Sequence, residues 1–160
     1  MDHLNMALLA AFLAAAGPSF AGQAPRELVG VASVSDGDTI EIHDQRIRLD
    51  GIDAPESSQL CLRAGAKERC GQAAALFLAD MIGKQTVRCE THDVDRYGRD
   101  ISTCWRGDVN INEAMVTAGQ AVAYRKYSRA YVEAEEEARA AKLGIWATEF
   151  EMPWDYRRNR

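Results

Sequence analysis

No run in this sequence is long enough to cross a bilayer. The extended apolar stretch near its start, Met6 to Ala16, has 11 residues, whereas a spanning helix needs about 20. None of the four cysteines stands in a C-x-x-C spacing, and His92 is the one histidine near them, so a zinc site is disfavoured. Internal repeats and low-complexity segments are missing, and so is any excess of positive charge: the formal net charge is −5. An acidic chain is not a general polyanion binder, so contact with a nucleic acid must be local, through a patch or a bound cation.

What is present begins with an export signal. "MALLAAFLAAA" followed by Gly17, Pro18 and "SFA" reads as a secretory h-region with a small-x-small cleavage site between Ala21 and Gly22. Residues 1–21 are therefore a signal peptide. "MDHLN" lacks the usual positive n-region; either His3 and the amino terminus serve, or translation begins at Met6. Export predicts a secreted or periplasmic protein with no membrane attachment once matured. All four cysteines lie in the mature part, and an even count there favours two disulfides. Of the three pairings we favour Cys61–Cys70, closing a loop, and Cys89–Cys104, joining two consecutive strand-like runs.

At 160 residues the chain makes one ordinary domain. "ELVGVASVSDG" alternates loosely as a strand, and "TIEIH" and "RIRLDGI" alternate strictly around a turn at Asp44 and Gln45, with Arg46 and Arg48 outward. Pro55 to Arg69 has no period and reads as a surface loop. Gly71 to Ile82 reads as a helix with Ala73, Leu76, Phe77 and Met81 on its inner side and Gly83 as its stop. "QTVRCET" and "DISTCWRG" are strands, "NINEAMVTAG" is a short helix capped by Asn110 or Asn112, and "QAVAY" is a brief extended piece. A last helix runs from Ser128 to Lys142 with Tyr131, Ala134, Ala138 and Ala141 recurring, and Gly144 ends it. Glu133, Glu135, Glu136 and Glu137 point around that helix as a solvated face. This order predicts a mainly β, α+β fold: a five-stranded Greek-key barrel of the oligonucleotide-binding (OB) type with about three packed helices. It occupies residues 22–147, followed by a basic, aromatic tail over 148–160.

The chemistry concentrates in "VSDGDTIEIHDQRIRLDGIDAPE", from Val34 to Glu56. Asp38 shares the parity of Ile40 and Ile42 and leans toward the core, where a carboxylate needs a partner. In an antiparallel hairpin the start of one strand and the end of the next lie at the same end. Asp38, Asp53 and Glu56 then meet in an oxygen-rich site suited to Ca²⁺, with Arg48 beside them. Acids, a cation and an arginine together suit phosphodiester chemistry. "DVDRYGRD" is not an EF-hand loop, because its twelfth position is Cys104. Asp36, in a turn before Gly37, is at most a support. His43 and His92 are isolated polar residues, and Trp105, Trp146 and Trp154 are packing or docking residues.

In sequence order, "SDGDTI", "RIRLDGIDAPE", "DRYGR" (Asp95 to Arg99), "NINEAMVTAGQAVAY" and "AKLGIW" resemble the staphylococcal nuclease (thermonuclease) family, from about Val29 to Trp146. The resemblance implies Ca²⁺ held by Asp38, Asp53 and the backbone carbonyl of Ala54. It makes Glu56 the general base or the holder of the attacking water, and Arg48 and Arg99 the clamps on the scissile phosphate. Tyr97 becomes a phosphate contact and Tyr124 a base-stacking residue. The implied reaction is Ca²⁺-dependent hydrolysis of DNA and RNA with low sequence specificity, leaving 3′-phosphate ends, by a chain expected to be a monomer. Ala54 stands where the best-known member has threonine, and the cysteines and acidic balance also depart from it. Lys84, Arg125, Lys126 and the C-terminal arginines are the candidates for a substrate-facing basic surface. The competing reading is a non-catalytic OB-fold module that binds nucleic acid or protein.

Overall fold

In the computed structural model, which describes residues 26–160, the first strand-like run is broken at Ala32 into β1 (Arg26–Val31) and β2 (Ser33–Asp36). The two halves serve opposite edges of one sheet. Its strand order is β1, β8 (Thr86–Val94), β9 (Asp100–Arg106), β4 (Gln45–Leu49), β3 (Thr39–Ile42) and β2, so the bent run curls the sheet around toward itself. Counting β1 and β2 as one bent strand recovers the five strands expected, and the protein is a mixed α+β fold of the OB type. The signal-peptide reading lies outside the described residues.

β3 (Thr39–Ile42) and β4 (Gln45–Leu49) form a hairpin in which Ile40 faces Ile47 and Thr39 faces Arg48. Its two turn residues are His43 and Asp44, both at positive φ, one position earlier than the sequence suggested. Such a pair gives the twist that lets flanking strands stay in register. β8 (Thr86–Val94) and β9 (Asp100–Arg106) form the long hairpin, and β4 meets β9 in parallel. Ile40, Ile42, Ile47 and Leu49 are fully buried against Val87, Leu78, Ile82 and Met115.

Short elements complete the sheet side. β5 (Ile52–Asp53) pairs with β11 (Val122–Ala123), and β10 (Val109–Asn110) extends β9. The stretch read as a surface loop contains a small hairpin of β6 (Cys61–Arg63) and β7 (Ala66–Glu68). A local hairpin needs few apolar positions, so no period announced it. Disulfides join Cys61 to Cys70 and Cys89 to Cys104, the latter directly opposed across β8 and β9.

Helix α1 (Cys70–Ile82) buries Cys70, Ala74, Leu78 and Ile82. This corrects the inner face assigned from the sequence, since Leu76 is 57% exposed and Ala73 is exposed too. Both faces carry apolar residues at helical spacing, and periodicity alone did not choose between them. Helix α2 (Ile111–Thr117) is capped by the Asn110 side chain, which accepts from Glu113 N. Asn112 is instead buried, donating to the carbonyls of Asp50 and Ser102 and accepting from Cys104 N.

Helix α3 (Val132–Ala140) is shorter than the sequence pattern, and Tyr131 is buried just before it. Glu135 is not on a solvated face: it is 2% exposed, accepts from Ala123 N and pairs with Arg125. After a 3₁₀ turn at Gly144–Ala147, the terminal residues fold as α4 (Pro153–Arg158). None of the helices among the described residues is long and apolar enough to cross a membrane.

Candidate active site

Three backbone devices bring the charged residues to one cleft. Within the β3–β4 hairpin, Leu49 N donates to Asp38 O at 2.9 Å, which sets Asp38 beside the end of β4. The β5–β11 pairing holds Asp53 opposite Val122, and Tyr124 N donates to Gly51 O at 2.8 Å. The third device is the N-terminus of α1, which lies against the Glu56 backbone. A Cβ on Gly71 would stand 1.7 Å from Glu56 O, so only glycine allows that approach. Gln59, 1% exposed, fixes the same turn: its Oε1 accepts from Glu56 N at 3.1 Å and its Nε2 donates to Glu151 O at 2.6 Å.

Arg48 is the hinge of the charge arrangement. Its Nη1 donates to Asp38 Oδ1 at 2.6 Å and its Nη2 to Asp53 Oδ1 at 2.7 Å. Asp38 is further held by Ala54 N on Oδ2 at 2.9 Å, while its own N–H donates to Asp36 at 3.1 Å, which gives Asp36 the supporting role expected. Burial pushes the Asp38 carboxyl above its ordinary range, against the pull of Arg48. It does the same to Asp53, against the hydrogen bonds from Arg157. Burial alone would lower Arg48, but the two carboxylates outweigh it and hold its guanidinium charged.

Arg99 approaches from the turn between β8 and β9. Asp95 fixes it: Oδ1 accepts from Arg99 N at 3.0 Å and Oδ2 from its Nε at 2.8 Å. Arg99 Nη1 reaches Thr39 Oγ1 at 3.5 Å, so the turn leans over the β3–β4 hairpin. Tyr97, 66% exposed, lies at the mouth with Arg99 5.7 Å from its ring centre. Tyr124 forms the opposite side, edge-on to Tyr127 and stacked on Trp154 at 5.5 Å with 6° between planes. The cleft encloses about 1080 Å³, and Asp38, Arg48, Ala54, Glu56, Tyr97, Arg99 and Tyr124 all line it. Lys84 does not; it is exposed past the end of α1.

Sequence reasoning offered the C-terminal arginines as a substrate-facing surface but missed that Arg157 joins the acids of the site. From α4 its Nη1 donates to Asp53 Oδ1 at 2.9 Å and to Glu56 Oε1 at 2.6 Å, and its Nη2 to Asp53 Oδ2 at 2.8 Å. Burial would lower this guanidinium, but Asp53 and Glu56 hold it well above the ordinary arginine value. Two adjacent arginines in "DYRRNR" were the available signal, but nothing local ties them to residues 101 to 104 positions away.

Asp38 and Glu56 therefore line the cleft, whereas Asp53 is fully buried and does not, and guanidinium groups of Arg48 and Arg157 stand between the three acids. Among the described residues no three acidic, histidine or cysteine side chains are gathered closely enough to hold a metal as they stand. The donor set nonetheless fits a hard divalent cation, since it consists of carboxylates and a backbone carbonyl, all oxygen ligands.

An OB-type barrel whose cleft combines buried carboxylates with converging arginines defines a class of phosphodiester-handling proteins. Residues 46–148 match the family described as Staphylococcal nuclease homologue, and the chain belongs to that family. Asp38 precedes the matched segment and Arg157 follows it. A succinoglycan biosynthesis protein, ExoI, of Rhizobium meliloti (strain 1021) is 40% identical over 77% of this chain and 66% of its own length, just under two thirds. A micrococcal nuclease of Shigella flexneri is 36% identical over 80% of this chain and 79% of that protein. Protein ParB of Escherichia coli is 35% identical over 99% and 95%.

Proposed function

We propose that this chain is an exported, Ca²⁺-dependent nuclease that hydrolyses DNA or RNA with low sequence specificity and leaves 3′-phosphate ends. The observation that carries this reading is the arrangement of Arg48 and Arg99 over one cleft with Asp38 and Glu56, and with Asp53 buried against Arg48. Family membership and the relative named as a micrococcal nuclease support it. The two disulfides support an oxidising compartment.

Asp38, Asp53 and the Ala54 carbonyl are the residues that would hold the cation. When bound, it supplies charge that polarises the phosphate and lowers the pKa of a nearby water. Glu56 takes a proton from the attacking water, and its turn, fixed by Gln59 and Gly71, aims that carboxylate. Arg48 and Arg99 donate to the non-bridging oxygens, whose charge grows as phosphorus becomes five-coordinate. The bond to the 5′-oxygen breaks, the phosphate stays on the 3′ side, and the 5′-oxygen takes a proton from solvent while Glu56 returns the one it took, so no net proton is held by the protein. Tyr124 offers a face for a base beside the reacting phosphate.

The test is digestion of labelled single-stranded DNA by residues 22–160 with disulfides formed, in Ca²⁺, in Mg²⁺ and in chelator, beside Glu56→Gln. Cleavage that requires Ca²⁺ and collapses in the variant is expected, with 3′-phosphate ends identified by mass spectrometry. A folded protein that binds the DNA and cuts it under no metal would instead be an OB-fold binding module.

A further inference from the structure

Every oxygen of the Asp53 carboxylate is already engaged. Oδ1 accepts from both Arg48 and Arg157, and Oδ2 accepts from Arg157. A carboxylate offers about four lone-pair sites on its two oxygens, so Oδ1 is saturated and Oδ2 keeps one. Arg157 also takes Glu56, and its guanidinium therefore stands between the two acids. Three carboxylates here face two guanidinium groups, which leaves one negative charge uncompensated at the wall.

Arg157 is not held there by its ion pairs alone. Trp154, one turn earlier in α4, stacks on Tyr124, and the Tyr156 hydroxyl donates to Ser58 O at 3.2 Å. Glu149 and Leu62 exchange backbone bonds at 2.8 and 2.9 Å. Phe150, Met152 and Trp154 pack against a buried cluster of Val122, Ile145 and the Cys61–Cys70 bridge. The C-terminal segment is thus a fitted border of the cleft that delivers one cation to a defined place.

We propose that Arg157 is the site's resident counter-cation, docked on Asp53, one of the residues that would hold the divalent cation, and on Glu56 beside it, so that binding of the metal and docking of Arg157 are mutually exclusive. The inference rests on the metal reading given above. A divalent ion brings twice the charge of a guanidinium and demands several close oxygens at once. Asp53 cannot give it Oδ1 while Arg157 stays, and like charges at contact distance repel. Metal affinity is therefore reduced by whatever free energy docks Arg157, and removing the side chain should recover it.

The experiment is calorimetric titration of Ca²⁺ alone into the disulfide-bonded mature chain, comparing wild type with Arg157→Gln, Trp154→Ala and Asp53→Asn. Arg157→Gln is expected to bind Ca²⁺ at least tenfold more tightly than wild type. Trp154→Ala, which keeps the arginine but loosens its helix, should shift affinity in the same direction by a smaller factor, and Asp53→Asn should abolish binding. Unchanged or weaker Ca²⁺ binding by Arg157→Gln, with binding still lost in Asp53→Asn, overturns the competition and leaves the metal reading standing. Equal binding in wild type and Asp53→Asn removes the metal from these residues, and the competition with it. If Arg157→Gln does not fold, an unchanged affinity in Trp154→Ala overturns the competition and a tightened one supports it.

Discussion

The wall and the rim of the cleft hold their charges in different ways. On the wall, Asp38, Arg48 and Asp53 have side-chain exposures of 6%, 17% and 0% and are fixed by strand register and by one another. On the rim, Arg99 depends on one carboxylate in its own turn, and Arg157, 36% exposed, depends on a terminal helix. The wall's residues cannot be removed without leaving a buried charge behind. The rim's residues are expected to be removable at smaller cost to the barrel, since Arg99 and Arg157 stand on a turn and a terminal helix outside the main sheet. Stability and function are coupled on the wall and separable on the rim.

Arg48→Ala against Arg99→Ala is the strongest way to break that contrast. Both should lower nuclease turnover by about 10²- to 10³-fold, since each removes a donor to the developing charge. Arg48→Ala should also cost about 3–5 kcal/mol of stability, because two buried carboxylates lose their shared partner. Arg99→Ala should cost less, about 1 kcal/mol, because Asp95 keeps its bonds from Arg99 N and Tyr97 N when the guanidinium is gone. Urea unfolding in chelator measures both, and equal losses would erase the distinction.

Gly71→Ala sharpens the comparison at the floor beneath Glu56. The added Cβ meets a backbone carbonyl that has no flexible end to yield. Overpacking of this kind costs about 1–3 kcal/mol, and the displaced Glu56 should lower kcat with little change in DNA binding. Trp154→Ala should have a smaller effect, losing about 1 kcal/mol with the Tyr124 stack. Its signature is local: trypsin cleavage after Arg157 and Arg158 speeds up by more than the modest fall in the urea midpoint accounts for. A global loss as large as that of Gly71→Ala would mean that the terminal helix belongs to the wall.

The same division decides what was legible in the sequence. Asp38 and Asp53 lie at the start of one strand and just past the end of the next, so their nearness followed from strand reversal, whereas Arg48, which parity set outward, reaches both through its long side chain. The paired cysteines of β8 and β9 were legible for the same reason. The inner face of α1 was not, because Leu76 and Phe77 compete with Ala74 and Leu78 at helical spacing and only the barrel decides. Glu135 looked like one of four solvated acids, yet its burial depends on the backbone of β11 and on Arg125. Arg157 was the least legible, because its partners are set by tertiary docking that no local pattern encodes.

Acidification should act on wall and rim with opposite signs. On the rim, burial raises Asp95, but its bonds to the backbone and guanidinium of Arg99 and to Tyr97 N outweigh this and leave it below the ordinary 3.8. A depressed folded value contributes stability that is present above 3.8 and lost as pH falls through the folded value. On the metal-free wall, Asp38 and Asp53 are raised above 3.8, so their contribution is present below it and lost as pH rises through their folded values. The stability advantage of wild type over Asp95→Asn, about 1 kcal/mol or less, should therefore be constant near neutrality and shrink below pH 3.8. For Asp53→Asn the difference should change in the opposite direction over the acid range. Thermal melts in chelator from pH 3 to 7, with amide exchange at Tyr97 and Arg99 as the local probe, measure both. An Asp95→Asn difference that stays constant to the acid limit would mean that the turn does not need the charge of Asp95 to present Arg99.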